Sequence, residues 1–560
     1  MARVGLFFVS VLLGCGGSSA SALFPDRVLY NARVVTLDTQ STIAEAVAIR
    51  DGRIMAVGET DKIRALAGPG TDEIDMEGRT VVPGLADNHF HSIGGGPGVD
   101  LSGARSLADI HDAIAFRVAE SDPEEIIVTN SDWHEGQLAE QRLPYREDLD
   151  KAAPDNPVVV VRGGHEYVLN SAALKHWNIT DNTPDPDGGL IGRDEAGHLN
   201  GELVDRAKNL VRLPGSVRLD YEAEIQMLAD EHRLLNKVGL TSIRYASGSP
   251  DQYRMLLDMK QRGILTIRTS ILFRLGGSID PTRLDETFNE WGIRSDEGDE
   301  WVRVAGIKLG VDGGFEGGWM REPYEAPWGG EEGFRGLQTV SKERYVMLVR
   351  ALNERGWRVA THAVGDAAID LVLEAYETAH RDSPIVGKRW AIEHAFVSQS
   401  DQLPRMKALE LQLSVQGHLY VAAPSLRKYW GMERADGVTP IRTYVDSGLD
   451  VSLGTDSPVV PYPAMWALYH FITRNTISAG VAGADQRIGR EEALRLNSLG
   501  NANLTFEEDY KGSLEVGKLA DLIVLSEDIL SVPEERIENI EVLLTMVGGE
   551  IVHRGLAFEK

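Results

Sequence analysis

The fold prediction starts from residues 81–91, which read VVPGLADNHFH. The apolar first half is typical of a buried β-strand. Side chains two residues apart point to the same face of a strand, so His89 and His91 can present two imidazoles to one metal ion. A His-x-His pair alone is a weak signal. Its position at the end of a strand, where a strand–helix alternation begins, strengthens the prediction of a metal site.

Seven apolar runs that read as strands follow this one, at 240–244, 265–272, 302–308, 357–362, 389–393, 411–415 and 451–455. Helical patterns lie between several of them. The patterns at 221–238 and 341–355 stop at Gly239 and Gly356, and glycine is a common helix terminator. Eight strands with helical connections predict an α/β protein with a (β/α)8 barrel, the TIM barrel.

The two ends of the chain read differently from the middle. Residues 23–84 and 501–560 contain short β-branched runs separated by turn dipeptides such as Asp51-Gly52 and Gly548-Gly549. We expect them to form one small β-sandwich domain that flanks a barrel domain at 85–500. The long interval at about 97–215 contains its own strand pair. It predicts an inserted α/β subdomain over the barrel mouth, which would act as a lid or shape the substrate site.

Composition excludes some function classes. The chain has 560 residues, 42% apolar and 25% charged, with a formal net charge of −28. This acidity argues against nucleic acid as a partner, because phosphate binding needs a basic face. The single cysteine, Cys15, lies near the N-terminus, so the folded part has neither disulfides nor thiolate ligands. A transition metal would have to be held by His, Asp, Glu or a modified Lys.

Residues 1–22 resemble an export signal. Arg3 precedes a short apolar run at 4–13, and Leu12-Leu13-Gly14-Cys15 resembles a bacterial lipobox. Lipidation of Cys15 would make a cell-envelope lipoprotein that touches the membrane only through this anchor. Simple cleavage after residues 20–22, giving a soluble periplasmic protein, and an uncleaved cytoplasmic start are the alternatives.

Polar residues follow other predicted barrel strands in the same way. Lys308, His362, His394 and Asp456 each come at the end of an apolar run. The active sites of TIM barrels form where their strands end. With His89 and His91, these residues make six polar side chains on five strands, which packing alone hardly explains.

These residues resemble the metal-dependent amidohydrolase superfamily, and most closely amidohydrolase family 3, which includes YtcJ-like proteins and N-substituted formamide deformylases. The resemblance covers nearly the whole chain after the signal. Each motif is short, but the combination is highly specific. Beyond the strand ends, the similar segments are 163–165, 170–174, 311–313, 361–366, 392–394 and 517–521.

The resemblance implies a ligand set. His89 and His91 would bind one divalent metal ion, and His362 and His394 a second. Lys308 stands where some relatives carry a carboxylated lysine that bridges two metals; without that modification a single metal is expected. Zinc is favoured by these ligand types, with manganese, iron and cobalt as alternatives.

The resemblance also implies an activity, the hydrolysis of a C–N bond in a small molecule such as an N-acyl amine, an N-formyl compound, a carbamate or a cyclic amide. Asp456, also a metal ligand, would be the acid–base residue that takes a proton from a metal-bound water and delivers it to the leaving amine. Esters, lactones and phosphoesters are alternative substrates. An isomerase or lyase, or a metal-free binding protein, is an alternative function.

Substrate contacts are predicted at four further residues. His165 is expected to face the substrate or to be a capped loop histidine. Trp133 belongs to a family motif near the pocket. Asp312 could touch substrate or fix a turn, and Arg321 lies on a Gly-rich loop that either closes over the mouth or is solvated. The chain could act as a homodimer.

Overall fold

The computed structural model describes residues 24–215, 219–276, 279–326, 328 and 332–558. The predicted signal at 1–22, including Cys15, lies outside the described residues. Within the described part of the chain, no helix combines the length and apolar character needed to span a bilayer.

Short strands dominate the N-terminal part. They are β1 (Arg27–Tyr30), β2 (Arg33–Val35), β3 (Ile43–Ala44), β4 (Ala46–Arg50), β5 (Arg53–Gly58), β6 (Asp72–Asp75) and β7 (Thr80–Pro83), with helix α1 (Thr60–Arg64). The predicted hairpin turn joins β4 and β5. Asp51 and Gly52 have φ values of 50° and 73°, as a two-residue type I′ turn requires. Strand β8 (Leu85–Phe90) then begins the barrel.

The insertion forms its own α/β unit. It contains α2 (Leu107–Ala119), β9 (Ile127–Val128), α3 (Arg146–Ala152), β10 (Val158–Arg162), β11 (Glu166–Leu169), α4 (Ser171–His176), β12 (Gly189–Arg193) and β13 (Leu199–Asp205). The strands pair in the order β12-β13-β11-β10-β9. Apolar residues on both faces of this sheet are buried against the helices.

The barrel continues with seven strands and their helices. The strands are β14 (Leu240–Gly248), β15 (Arg268–Arg274), β16 (Val302–Gly310), β17 (Val359–Ala363), β18 (Ala391–His394), β19 (Gln412–Gln416) and β20 (Asp450–Gly454). The helices are α5 (Tyr221–Lys237), α6 (Pro250–Gln261), α7 (Leu284–Trp291), α8 (Lys342–Glu354), α9 (Asp366–Asp382), α10 (Leu403–Ala408), α11 (Leu419–Trp430), α12 (Met432–Asp436), α13 (Ile441–Asp446), α14 (Ala464–Thr473) and α15 (Arg490–Leu504).

These eight strands form one parallel sheet in chain order from β8 to β20. The last strand returns to the first, because the Asp456 amide donates to the His89 carbonyl oxygen at 2.8 Å. The predicted TIM barrel is therefore present. Several boundaries differ from prediction. Strand β15 starts at Arg268 although the buried apolar run begins at Leu265. Strand β14 runs to Gly248, four residues beyond the predicted end, and β16 runs two residues beyond Lys308.

The C-terminal strands β21 (Leu522–Leu525), β22 (Val542–Val547) and β23 (Glu550–Arg554) complete the second β-unit. They extend β7, β2 and β3 into a six-stranded sheet with the order β23-β22-β21-β7-β2-β3. The first sheet has the order β5-β4-β1-β6, so both ends of the chain build the predicted sandwich. A buried ion pair, Arg268 to Asp521 at 2.6 Å, joins the sandwich to the start of β15, at the end of the barrel opposite the site described next.

Candidate metal centre

The carboxyl-terminal rim of the barrel brings the predicted metal residues together. His91 Nε2 lies 3.0 Å from Asp456 Oδ1, and His89 Nε2 lies 3.4 Å from the same oxygen. Lys308 Nζ lies 3.2 Å from His89 Nε2. The His394 ring is centred 4.7 Å from the His89 ring and 4.6 Å from the His362 ring. Side chains from five strands therefore meet in one cluster, as parallel strand ends in a barrel allow.

Three of the histidines are oriented by oxygen acceptors. His89 Nδ1 lies 2.6 Å from Glu393 Oε2, and His394 Nδ1 lies 2.7 Å from Gln416 Oε1. His362 Nε2 lies 3.0 Å from the Gly313 carbonyl oxygen. Each acceptor favours a hydrogen on the nitrogen that faces it, which leaves the other ring nitrogen with a lone pair. Histidine ligands of metal ions are held in this way.

Burial sets the protonation of the cluster. It lowers the pKa of His89 to about 4 and the pKa values of His362 and His394 well below the ordinary value. These imidazoles are therefore neutral at physiological pH, which is the form that binds metals. Burial also lowers the pKa of Lys308 to about 8. Burial would raise the pKa of Asp456, but the surrounding imidazoles hold it well below its usual range.

His418 is a site residue that the sequence analysis missed. It follows β19, is buried, and places Nε2 3.0 Å from Asp456 Oδ2. Asp456 is thus held by His89 and His91 on one oxygen and by His418 on the other. The signal was available, because His418 is the first ionisable residue after the apolar run at 411–415, the same pattern that identified His362 and His394.

Glu393 and Arg244 form a support beneath the cluster. The Arg244 guanidinium donates to both oxygens of Glu393, at 2.7 and 2.8 Å, and all of these groups are buried. Burial alone would raise the pKa of Glu393, but Arg244 and His89 hold it below its ordinary range. Glu393 is therefore an ionised acceptor for His89. Sequence reasoning could not find this contact, because 149 residues separate Arg244 from Glu393.

Among the described residues, two groups of side chains have donor atoms close enough to hold a metal ion. They are His89, His91 and Asp456, and His394, His418 and Asp456. The second group contains His418 where the resemblance implied His362. Imidazoles with a carboxylate are a donor set that suits zinc and similar divalent ions. The donor atoms of these side chains, together with the oxygen acceptors that orient the histidine rings, fit a divalent metal ion.

A cavity opens directly above the cluster, with an empty volume of about 350 Å³, part of it open to solvent. The rim supplies His362, His394, His418 and Asp456 to its lining, the insertion supplies Arg162, Gly163, Gly164 and His165, and the loops supply Gly314, Phe315, Glu316, Val364, Phe396 and Val459. The insertion therefore forms part of the pocket wall.

His165 is the predicted substrate contact that lies in this wall. Its ring stacks on the His362 ring, with centroids 5.3 Å apart and 27° between the planes. His165 Nδ1 lies 2.6 Å from Asp205 Oδ1. Burial opposes protonation, but the Asp205 carboxylate raises the pKa of His165 above its ordinary value.

Two other predicted contacts lie elsewhere. Trp133 is buried in the core of the insertion, where Nε1 donates to the Val161 carbonyl oxygen at 2.8 Å. Arg321 forms bidentate ion pairs with Asp370 and Asp401 at a partly exposed surface. The polar atoms of both side chains therefore bind other groups of the protein.

Asp312 holds the loop that follows β16. It accepts hydrogen bonds from the backbone amides of Trp319 at 3.0 Å, Val364 at 3.1 Å and Gly365 at 2.9 Å. The described part of this loop is packed, since Tyr324 is buried and its hydroxyl donates to the Gly318 carbonyl oxygen at 2.7 Å. Of the two roles considered for Asp312, the observed contacts are those of a residue that shapes the loop.

A parallel barrel with neutral imidazoles and a carboxylate below an open cavity is the arrangement of a metal-dependent hydrolase. Residues 72–553 match the model of the Amidohydrolase family. The chain therefore belongs to the amidohydrolase family, as the sequence motifs predicted.

Known relatives cover almost the whole chain. It is 28% identical to N-substituted formamide deformylase of Arthrobacter pascens, over 94% of this chain and 97% of that protein. It is 26% identical to the putative amidohydrolase YtcJ of Bacillus subtilis, over 94% of this chain and 99% of that protein. A solved metal-dependent hydrolase from Pyrococcus furiosus is 26% identical with a TM-score of 0.63, covering 90% of this chain and all of that one. These likenesses support a metal-dependent hydrolase.

Proposed function

We propose that this hydrolase cleaves the C–N bond of a small amide-like molecule, with Asp456 as the acid–base residue. The observation that carries the proposal is the position of Asp456. It lines the cavity and lies between His91 at 3.0 Å and His418 at 3.0 Å. Similarity to an N-substituted formamide deformylase supports the choice of a C–N bond and makes formamides the first substrates to try.

A divalent metal held by these residues would supply Lewis acidity, which polarises a carbonyl group and lowers the pKa of water at the site. Asp456 would accept a proton from the attacking water as its oxygen bonds to the carbonyl carbon. It would return that proton to the nitrogen as the C–N bond breaks. The products are a carboxylic acid, which is formic acid for a formamide, and a free amine. His418 would hold the Asp456 carboxylate in place during both transfers.

Zinc and a carboxylated Lys308 are part of the same proposal. A neutral lysine amine adds carbon dioxide to give an anionic carbamate, and the lowered pKa of Lys308 favours the neutral amine. Its Nζ lies 3.2 Å from His89 Nε2, near the proposed ligands. Growth with ¹³C-bicarbonate tests the modification, since a carboxylated lysine gives a carbamate carbon signal in the NMR spectrum and an unmodified one does not.

Export and lipidation at Cys15 stay predictions, as does a homodimer. Palmitate labelling with wild type and Cys15→Ser separates the lipoprotein from a simply cleaved export signal.

The direct test is a hydrolysis screen with the zinc-loaded protein in ¹⁸O-labelled water. Formamides, amides, carbamates and lactones are supplied in parallel, and the products are analysed by mass spectrometry. The proposal expects amine release with one ¹⁸O in the acid. Turnover without label would indicate an isomerase or lyase, and turnover of lactones or esters alone would contradict the choice of a C–N bond. A protein that binds no stoichiometric metal would contradict the whole mechanism.

A further inference from the structure

A second group of charged side chains reaches the same cavity through Arg162 and Glu316. We call it the Arg162 cluster, and it consists of Arg162, Glu135, Glu166, Glu202 and Glu316. The guanidinium donates to both oxygens of Glu135 at 2.9 Å and to Glu316 Oε2 at 3.1 Å, and lies 3.6 Å from Glu166 Oε2. All five side chains are buried. One guanidinium thus faces several carboxyl groups in an environment where each charge needs a partner.

Glu316 is the member that reaches the cavity with an unused oxygen. Its Oε2 is held by Arg162, but Oε1 has no hydrogen-bond partner within the described part of the chain. Oε1 lies against Gly314, since a Cβ built on Gly314 would be 3.0 Å from this oxygen and 2.9 Å from His165 Cγ. Gly314, His165 and Glu316 all line the cavity. Oε1 therefore lies beside the substrate space, within reach of His165.

A buried carboxylate oxygen without a donor is costly, and a carboxylate can only accept. Glu166 also has oxygens without a partner among the described residues, but its neighbours within the Arg162 cluster account for them. Burial and the neighbouring Glu202 raise the pKa of Glu166 well above its ordinary value, so it carries a proton. Glu166 is also absent from the cavity lining. Glu316 is therefore the carboxylate whose missing donor points to a ligand.

Aromatic rings lie next to this acceptor. Phe315 and Phe396 stack with centroids 5.5 Å apart and 16° between their planes, and both line the cavity. The cavity thus combines the metal residues, an apolar face and one carboxyl oxygen without a donor. Pockets of this kind use a few placed polar groups to select and orient a small molecule.

We propose that Glu316 Oε1 binds a second N–H group of the substrate, separate from the amide that is cleaved. This inference rests on the proposed hydrolysis and names its substrate class, which is small amides that carry an additional N–H donor beside an apolar group. Selectivity follows because a substrate without that donor leaves the carboxylate oxygen buried and unpaired.

The test uses two probes that differ only at the donor, N-formylglycine N-methylamide and N-formylglycine methyl ester. Both release formate when the formamide is cleaved, so the same product is measured for each. The cost of leaving a buried carboxyl oxygen without a donor predicts that wild type prefers the amide by about 10- to 100-fold in kcat/KM. Calorimetry gives the Kd of each probe independently of turnover.

Glu316→Gln reverses the polarity of the proposed contact. Arg162 can only donate, so the glutamine oxygen turns to Arg162 and the amide NH₂ faces the cavity. The preference for the amide probe falls to about one. Glu166→Gln is the matched control, because it replaces a protonated buried carboxyl in the same cluster, and it keeps the wild-type preference.

The outcomes separate this inference from the proposed function. If the Kd favours the amide probe in wild type and this preference disappears only in Glu316→Gln, the inference is supported, even if no formate is released. The absence of formate would contradict the proposed hydrolysis instead. Formate release from both probes with equal kcat/KM in wild type overturns the inference and leaves hydrolysis standing. Failure of both probes to bind, or equal loss of preference in the two variants, also overturns it.

Discussion

The metal centre and the Arg162 cluster both contribute to the lining of one cavity, and both bury ionisable groups. In the Arg162 cluster a guanidinium of the chain itself neutralises Glu135, with both hydrogen bonds at 2.9 Å. In the metal centre the neutral ring nitrogens of His89 and His394 turn outward to Glu393 and Gln416. The remaining lone pair of His89, on Nε2, lies 3.4 Å from Asp456 Oδ1, so the cluster is an electron-rich centre for a cation from outside.

The difference shows how each cluster serves function. The ion pairs of the Arg162 cluster tie Glu135 of the insertion and Glu316 of the loop after β16 to one guanidinium. In the metal centre, oxygen acceptors around the cluster orient His89, His362 and His394, and each ring keeps one nitrogen lone pair for a metal ion. Substitutions in the first should therefore change stability, and substitutions in the second should change turnover and metal affinity.

The largest effect is expected at Asp456. Asp456→Asn removes the proton acceptor but keeps the shape of the side chain, so kcat should fall by about 10³-fold or more. Metal content, measured by mass spectrometry of the purified protein, should stay at the wild-type level because the histidines remain. Unchanged turnover would refute the acid–base role.

Arg162→Met should have a large effect on stability. It leaves Glu135 and Glu316 buried without a cation, so the free energy of unfolding should fall by about 3–5 kcal/mol. The control is Arg142→Met in the same subdomain, whose partner Asp148 lies at 2.7 Å in a half-exposed pair and is worth about 1 kcal/mol or less. Denaturant unfolding measures the free energy of unfolding of both variants. Equal losses of stability would show that the Arg162 cluster contributes no more than a surface ion pair.

Glu393→Gln should weaken metal binding. The glutamine oxygen can accept a hydrogen bond from His89 or from Arg244, but glutamine lacks the negative charge with which Glu393 binds both residues. Metal affinity should therefore fall by about 10- to 100-fold. Competition with a chelator measures the Kd. Glu166→Gln in the Arg162 cluster should leave the Kd unchanged, and a matching loss there would contradict the division between the two clusters.

The smallest effect is a pH dependence in the Arg162 cluster. Burial raises the pKa of Glu166 above its unfolded value of about 4.5, so folding takes up a proton. The stability that this protonated group contributes is complete at low pH and is lost as the pH rises through the folded-state pKa. Glu166→Gln lacks this loss, so the Tm of the variant should gain on wild type as the pH rises above 4.5. A constant Tm difference across pH would mean that Glu166 is ionised in the folded protein.

Much of the site could be predicted from strand ends. His89, Lys308, His362, His394 and Asp456 were identified because apolar runs end at or just before them, and barrel strands all end at one rim. His418 obeys the same rule and was missed only because the run at 411–415 was not followed to its next ionisable residue.

The predicted substrate contacts were taken from short motifs, and they stay predictions. Trp133 and Asp312 lie in segments typical of the family, yet their polar atoms bind backbone groups of the protein, at Val161 and at Gly365 among others. A motif identifies a residue that the fold needs. It does not show whether the fold uses the residue for packing or for substrate.

The sequence by itself determined the barrel, the sandwich built from both ends and the candidate metal ligands apart from His418, because strand periodicity and turn chemistry are local properties. Only the tertiary structure decided how those side chains are held and what faces them. Glu393 meets Arg244 across the barrel, and Glu316 meets Arg162 across 154 positions in the chain. Such pairs depend on strand register and on how the insertion sits over the rim, and long-range packing sets both.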